Sequence, residues 1–293
     1  MDPSIGTTLC KAADRLAHLP DAAPRLEAEL LLAQATGLSR TRLLTWPDRA
    51  LEPATLGAYW TLVDRRRNGE PIAYIRGYQD FWSLQLRVTP DTLIPRPETE
   101  LLVALVLARL PAARPLKVAD AGSGSGAIAA AIAHERPNWW LIATEHGAAA
   151  ALIAQDNLRR FAPGNAPVVR GDWLEAIAPG SLDAVISNPP YIAEADPHLT
   201  QGDLRFEPRS ALVGGPDGLG TIRRLAAEAT TRLHPGGLVV LEHGYDQGPA
   251  VRGILAAAGY VDIETHRDLA GHERATLAHW PRRTGTQTGR LGR

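Results

Sequence analysis

The sequence holds very little cysteine and no excess of charge of either sign. Cys10 is the one cysteine among 293 residues, which excludes an internal disulfide framework and a zinc site built from cysteines. Lysine and arginine total 31 against 32 aspartates and glutamates, so the net charge is -1. Binding to nucleic acid through a broad basic face needs surplus basic side chains, so this balance argues against direct nucleic-acid binding.

Long apolar runs are missing as well. The longest stretches, such as residues 101–108, are far shorter than the ~20 residues that a membrane-spanning helix needs. The first ten residues lack the basic run and the apolar core of a signal peptide. We therefore expect a cytoplasmic protein that makes no membrane contact.

The first part of the chain has helical periodicity. Apolar residues recur at helical spacing over Leu9–Leu16, Pro24 is placed to begin a second helix that Gly37 ends, and a third helix is predicted over Pro53–Asn68. We expect residues 1–70 to form a small helical bundle.

Residues 71–95 have a different pattern. Apolar and polar residues alternate from Leu84 to Val88, which predicts a half-buried strand, and Ile72–Ile75 is its expected hairpin partner. We interpret this segment as a β-hairpin linker between two domains.

From Pro97 onward, short apolar runs alternate with helical stretches. This order predicts an α/β, Rossmann-like domain over residues 96–281, with a mostly parallel sheet and an antiparallel last strand. The tail, residues 282–293, is expected to be disordered. The predicted strands are Leu116–Ala121, Trp140–Thr144, Pro167–Val169, Leu182–Ser187, Leu238–Glu242, Tyr260–Thr265 and Ala275–Trp280.

A glycine-rich turn follows the first of these strands. Glycines between a strand and a helix let a ligand approach the backbone closely. The spacing differs from that of dinucleotide-binding proteins, and no Lys-Ser/Thr pair follows, which excludes a Walker phosphate loop. The candidate cofactor-binding residues of this turn are Gly122, Ser123, Gly124, Ser125 and Gly126.

Acidic residues follow the next two strands. Glu145 ends the second strand about twenty residues after the glycines, where a carboxylate can accept hydrogen bonds from a ribose; it could also simply complement a helix dipole. Asp172 and Trp173 follow the third strand and suit an adenine, although Trp173 could equally be a core anchor. Together these residues predict an adenosine-type cofactor.

The fourth strand ends in a sharper motif, Asn188-Pro189-Pro190-Tyr191. The prolines stop the strand and fix the backbone. Asn188 offers a side-chain carbonyl, Pro189 a main-chain carbonyl and Tyr191 a flat ring. Two acceptors beside an aromatic face can bind a planar NH2 group through both of its hydrogens, so we predict that all four residues of the motif bind the substrate. The predicted catalytic residues are Asn188, Pro189 and Tyr191, and Asn188 is also a candidate cofactor-binding residue.

The glycine turn, the acidic second strand and the Asn-Pro-Pro-Tyr motif together resemble the class I S-adenosylmethionine-dependent amino-methyltransferases. Further segments narrow the resemblance to the peptide-chain release-factor glutamine methyltransferases (the PrmC/HemK family), over about residues 20–280. These segments are Phe81–Leu84, Thr92–Glu100, Asp196–Leu199, Arg205–Pro208 and Leu241–Gly244.

The resemblance implies that S-adenosyl-L-methionine donates the methyl group and leaves as S-adenosyl-L-homocysteine. It implies a bacterial class I release factor as partner, a glutamine of its Gly-Gly-Gln loop as acceptor, and a docking role for the helical bundle. A monomer is expected. The family commonly has threonines where this chain has Ser123 and Ser125, and an aspartate where it has Glu145; the kept glycines and the longer acid should still bind the cofactor.

Three alternatives remain at the level of sequence. The same motif serves N6-adenine methyltransferases, but those act on flipped bases and need a target-recognition region and usually a basic surface. A ribosomal-protein glutamine methyltransferase would share the site and differ in its docking domain. A non-catalytic protein could keep the cofactor fold as a scaffold, and the intact Asn188 and Tyr191 argue against that reading.

Overall fold

The structure, a computed structural model, describes residues 3–20 and 22–282. The described residues form two units. The first contains the chain up to Gln79 together with Arg87–Ile94 and Asp196–Pro208, and the second contains Asp80–Leu86, Pro95–Ala195 and the chain from Arg209 onward. Within residues 3–20 and 22–282, no helix is both long and apolar enough to span a membrane. We predicted a disordered tail over residues 282–293, and from residue 283 on it lies outside the described residues.

The first unit is built from helices. Pro24 stands at the first position of α2, and Gly37 ends it in the left-handed conformation, with φ of 70°. The three predicted helices are confirmed, and two short ones, α3 and α5, were not predicted. The helices are α1 Ile5–Leu16, α2 Pro24–Thr36, α3 Arg40–Thr45, α4 Pro53–Arg67 and α5 Ile72–Arg76.

Residues 196–208 pack within this first unit although they lie far along the chain. Arg66, with only 5% of its side chain exposed, bonds Glu27 at 2.8 Å and Asp203 at 2.9 Å. The carboxylate of Glu207 accepts a 3.2 Å hydrogen bond from the N–H of Ile94. These long-range ion pairs and hydrogen bonds explain why a segment from the middle of the chain completes the helical unit.

The predicted hairpin partner of Leu84–Val88 is wrong. Ile72–Ile75 lies in α5, and Gly77 ends that helix with φ of 77°. The hairpin pairs β1 Tyr78–Phe81 with β2 Leu84–Arg87 instead. A four-residue apolar run fits a buried helix turn as well as a strand, and here the helix-ending glycine decides.

The second unit contains a seven-stranded sheet in the order β5-β4-β3-β6-β7-β9-β8. Its first five strands are parallel, and β9 runs antiparallel to β7 and β8, as predicted. The predicted strands are confirmed, with β7 starting five residues earlier than expected. The strands are β3 Lys117–Ala121, β4 Trp140–Glu145, β5 Val168–Arg170, β6 Leu182–Ser187, β7 Leu233–Glu242, β8 Val261–Arg267 and β9 Glu273–His279.

Helices cover both faces of this sheet, and a separate hydrophobic cluster lies on each face. A 3-10 turn, Pro97–Thr99, leads into the first of the helices. The chain runs outward from β3 to β4 and β5 and then returns to β6 on the other side of β3, so the order reverses between β3 and β6. Ligands bind at such switch points in open parallel sheets. The helices are α6 Glu100–Arg109, α7 Ala127–Glu135, α8 Ala148–Phe161, α9 Gly220–Arg232 and α10 Gly248–Ala257.

Candidate active site

The glycine turn joins β3 to α7 at the switch point. The N–H groups of Gly122 and Ser123 both donate to the carbonyl of Thr144, each at 2.9 Å, which ties the turn to β4. Gly124 has φ of 55°, and a Cβ atom added there would meet nothing within 4 Å. The turn therefore presents open space over a backbone conformation that favours glycine.

Glu145, at the end of β4, is bound by main-chain groups on both of its oxygens. Oε2 accepts from the N–H of Gly124 at 2.9 Å, and Oε1 accepts from the N–H of Gly147 at 2.7 Å. The predicted ribose-binding carboxylate therefore lies directly against the glycine turn.

Trp173 and Asp172 have different surroundings. Trp173 has φ of 44° and lies over the glycine turn, where a Cβ atom on Gly122 would come within 2.5 Å of its Cζ3. Asp172 is ion-paired with Arg224 of α9 at 2.8 Å, with 38% of its side chain exposed. The structure thus brings Trp173, Gly122 and Glu145 together, while Asp172 has a charged partner of its own.

Asp120, the last-but-one residue of β3, is a buried acid that the sequence prediction missed. It is 1% exposed, and its Oδ2 accepts from the N–H of Ala129 at 3.0 Å. Burial raises the pKa of its carboxyl to about 7; the Ala129 hydrogen bond opposes this shift and the charge of Glu145 adds to it. Its place in the motif Asp-Ala-Gly was visible in the sequence, but its complete burial was not.

The Asn-Pro-Pro-Tyr segment follows β6, beside the glycine turn of β3. The hydroxyl of Ser187 donates to the carbonyl of Ala121 at 2.6 Å, which fixes the end of β6 to β3. Pro189 and Pro190 are buried, and Asn188 is partly exposed. The motif thus lies at the carboxyl end of a central strand, as predicted.

Three further residues hold this segment, and the sequence prediction did not assign them to the site. The Asn188 side-chain amide donates through Nδ2 to Thr99 Oγ1 at 3.1 Å, and Thr99 donates to Glu242 Oε2 at 2.7 Å. The Tyr191 hydroxyl donates to Glu242 Oε1 at 3.3 Å, and the main-chain carbonyl of Tyr191 accepts from Nε2 of Gln247 at 3.0 Å. The sequence held one signal for Glu242, because it is an acid at the carboxyl end of β7, the strand next to β6.

Glu242 is 1% exposed, and its surroundings change its acidity. Burial raises the pKa of its carboxyl to about 7, against the hydrogen bonds of Thr99 and Tyr191 and the positive charge of Arg274. Burial also raises the pKa of the Tyr191 hydroxyl, so this phenol stays protonated and donates to Glu242. The carboxyl end of β7 therefore carries a buried acid that two side-chain hydroxyls hold.

Comparison with known proteins identifies the family. Residues 8–77 match the PrmC N-terminal domain and residues 99–203 the methyltransferase small domain. A release factor glutamine methyltransferase of Pseudomonas aeruginosa is 48% identical over 94% of this chain and 99% of its own length. The chain belongs to the release factor glutamine methyltransferase family.

Other relatives agree with this assignment. Enzymes with the same description from Vibrio cholerae and Escherichia coli are 46% and 45% identical, over 96% and 88% of this chain and 98% and 92% of their own. A methyltransferase structure from Pyrococcus furiosus superposes with a TM-score of 0.53 at 21% identity, over 75% of this chain and 97% of that one, which supports the fold. The protein is therefore a methyltransferase, and S-adenosylmethionine is its methyl donor.

The glycine turn fits this cofactor. The space over Gly124 admits a ligand against the backbone, and a carboxylate, Glu145, lies beside it. Among the described residues, Oδ1 of Asp120 and Oγ of Ser123 are buried without a hydrogen-bond partner. Buried polar atoms without partners are costly, and a polar cofactor lying along the turn can supply such partners.

Proposed function

We propose that this enzyme methylates the side-chain amide nitrogen of the glutamine in the Gly-Gly-Gln motif of bacterial class I release factors. The observation that carries the proposal is the position of Asn188 and Pro189 at the end of β6, next to the glycine turn of β3. The names of the relatives, which align over nearly the whole chain, support the choice of substrate. Such methylation would modulate translation termination.

The chemistry demands activation of a poor nucleophile. An amide nitrogen shares its lone pair with its carbonyl, so it attacks carbon slowly. Asn188 Oδ1 and the Pro189 carbonyl would accept both N–H groups, which leaves more electron density on nitrogen and holds it in line for transfer. Tyr191 would pack on the amide plane together with the rigid Pro190, and its hydroxyl is held by Glu242.

When bound, S-adenosylmethionine supplies an electrophilic methyl carbon on a sulfonium and leaves as S-adenosylhomocysteine. In this proposal Glu145 accepts hydrogen bonds from the ribose, and Trp173 and Asp172 lie near the adenine. The backbone from Gly122 to Gly126 lies along the cofactor. No strong general base is needed, because a methylated amide that carries an extra proton releases it readily to water.

We also propose that the helical unit docks the release factor. Leu44 and Trp46, on and next to α3, are 49% and 47% exposed. Aromatic side chains, tryptophan above all, are common anchors of protein interfaces. The proposed partner is a protein and not nucleic acid, and the enzyme would act as a cytoplasmic monomer.

Docking is testable with point variants of the full chain. Trp46→Ala should raise KM for a whole release factor at least about fivefold, the effect of losing an anchor of 1 kcal/mol, and leave methylation of a short Gly-Gly-Gln peptide unchanged. Trp140→Ala is the matched control, since Trp140 is 45% exposed and lies on β4. Deleting the N-terminal residues is a poorer test, because Asp203 would lose its partner Arg66.

The proposed activity itself is tested by mass spectrometry. Release factor incubated with enzyme and S-adenosylmethionine should gain one methyl group on the peptide that contains Gly-Gly-Gln, and fragmentation should place it on the glutamine. A release factor with Gln replaced by Glu in that motif is the control. Methylation of a ribosomal protein or of adenine in its place would contradict the proposal.

A further inference from the structure

The side-chain amide of Asn188 works only in one orientation. Its carbonyl oxygen can accept an N–H of the substrate amide, whereas its NH2 group would meet that N–H donor to donor. Rotation by about half a turn exchanges the two ends with almost no change of shape. Some feature of the protein must therefore select the orientation with the oxygen toward the substrate.

Thr99 and Glu242 provide that selection. A threonine hydroxyl has a single proton. Thr99 donates it to Glu242 Oε2 at 2.7 Å, so its oxygen can only accept from Asn188, whose Nδ2 lies 3.1 Å away. The direction of donation therefore runs from Asn188 through Thr99 to Glu242.

The same carboxylate holds the second side chain of the motif. The Tyr191 hydroxyl donates a hydrogen bond to Oε1 of Glu242, so both carboxylate oxygens accept hydrogen bonds from the site. Thr99 and Glu242 are 4% and 1% exposed, so water cannot replace these contacts easily. An ionised carboxylate is a pure acceptor, which makes it a fixed end for the chain of donors.

We propose that Thr99 and Glu242 are positioning residues that lock the Asn188 amide with its oxygen toward the substrate. This role rests on the proposed glutamine methylation. Neither residue touches the reacting atoms; both act through Asn188. The lock depends on Glu242 accepting, because a protonated Glu242 could donate to Thr99 and let Thr99 donate to the Asn188 oxygen, which turns the amide around.

Two charged side chains and burial act on the acidity of Glu242. Arg274 of β9 favours the ionised form, Glu98 of the 3-10 turn disfavours it, and burial is the strongest influence and also disfavours it. His243, the next residue, bonds Thr276 at 2.9 Å and the main chain of Gly244. With these neighbours the pKa of Glu242 is about 7, so the lock loosens on the acid side of neutrality.

The first test compares Thr99→Val with Thr99→Ser in single-turnover kinetics at saturating cofactor and release factor. Valine keeps the shape and removes the hydroxyl, so we expect the rate of transfer to fall by about 30-fold to 100-fold, somewhat less than loss of the acceptor itself. Serine keeps the hydroxyl and should stay within about threefold of wild type. Cofactor affinity by calorimetry should change less than about twofold in both.

The second test uses the pH profile, which a purely structural role would not change. The wild-type single-turnover rate should fall below about pH 7 and Glu242→Gln should lack this acid limb. Asp120→Asn is the matched control, because the pKa of Asp120 is also raised to about 7. At saturating cofactor it should keep the limb.

These outcomes separate the inference from the proposed function. A wild-type enzyme that leaves the Gly-Gly-Gln glutamine unmethylated refutes the proposed function. NMR then still tests whether Thr99 fixes the orientation of the Asn188 side-chain amide. The Asn188 side-chain NH2 protons, assigned by their absence in Asn188→Ala, should exchange slowly with solvent in wild type and fast in folded Thr99→Val. Three results would each contradict the positioning role. They are unchanged exchange of the Asn188 NH2 protons in Thr99→Val, a wild-type transfer rate in Thr99→Val, and a transfer rate in Thr99→Ser no higher than that in Thr99→Val.

Discussion

Glu145 and Glu242 are the last residues of two strands of the same sheet, and they differ in the groups that donate hydrogen bonds to them. Glu145, at the end of β4, accepts from main-chain N–H groups of residues within about twenty positions of it. Glu242, at the end of β7, accepts from the hydroxyls of Thr99 and Tyr191, far away in the sequence. In the function we propose, the first acid shapes a turn that receives the cofactor, and the second orients side chains around the substrate.

The difference in burial separates the expected roles of these two carboxylates. Glu145 is partly exposed beside an open turn, where a carboxylate can exchange its partners for those of a ligand. Glu242 is fully buried, and exchanging its partners would leave polar atoms unsatisfied. We therefore expect changes near Glu145 to affect cofactor affinity and changes near Glu242 to affect the rate.

The largest effect should come from Asn188→Ala, on the rate side. The substrate amide loses one of its two acceptors in the transition state, and by analogy with loss of one oxyanion-hole donor the rate should fall by about 10²–10³. Asn188→Asp should bind cofactor but transfer slowly, since it cannot donate to Thr99. Single-turnover kinetics at saturating cofactor measures both, and a rate within about threefold of wild type for Asn188→Ala would refute its role.

On the cofactor side, Gly124→Val should lower S-adenosylmethionine affinity by more than about a hundredfold, nearly 3 kcal/mol. The space over Gly124 would be filled, while no protein atom stands in the way. Gly164→Val is the matched control, because Gly164 also has positive φ, 96°, with open space around it, away from the turn. Calorimetry on both folded variants checks this, and equal affinities would mean that the cofactor lies elsewhere.

Glu145→Ala should have a smaller effect of the same kind. A hydrogen bond to a charged group contributes about 1.5–3 kcal/mol, so cofactor affinity should fall by roughly tenfold to a hundredfold. Saturating cofactor should restore most of the rate, because Glu145 takes no part in the transfer. A rate that stays low at saturation would show that Glu145 acts like Glu242, and the comparison would fail.

The smallest effect concerns stability and pH. The folded-state pKa of Glu242 is raised from 4.5 to about 7, so the folded protein keeps a proton that the unfolded chain has lost. The contribution of Glu242 to the free energy of unfolding is fully present below pH 4.5 and is lost as the pH rises through about 7. Urea unfolding of wild type and Glu242→Gln across this range should show the variant gaining relative stability with rising pH; a constant difference would contradict the burial of an acidic group.

Local signals were enough to predict most elements. Pro24 and Gly37 mark the ends of α2, and the turn residues after β3 and β6 mark where those strands stop. The prediction failed for Ile72–Ile75, since four apolar residues have too short a period to separate helix from strand. The helix α3 was missed because its six residues show no clear apolar face.

The sequence by itself determined the α/β order, the glycine turn, Glu145 and the Asn-Pro-Pro-Tyr segment, because each depends on residues close together in the chain. Only the tertiary structure decided that Thr99 and Glu242 contact the Asn-Pro-Pro-Tyr segment. Their hydrogen bond joins residues 143 positions apart, from the 3-10 turn before α6 to the carboxyl end of β7. The burial that keeps water away from Glu242 arises from the packing of the whole sheet, which no local pattern encodes.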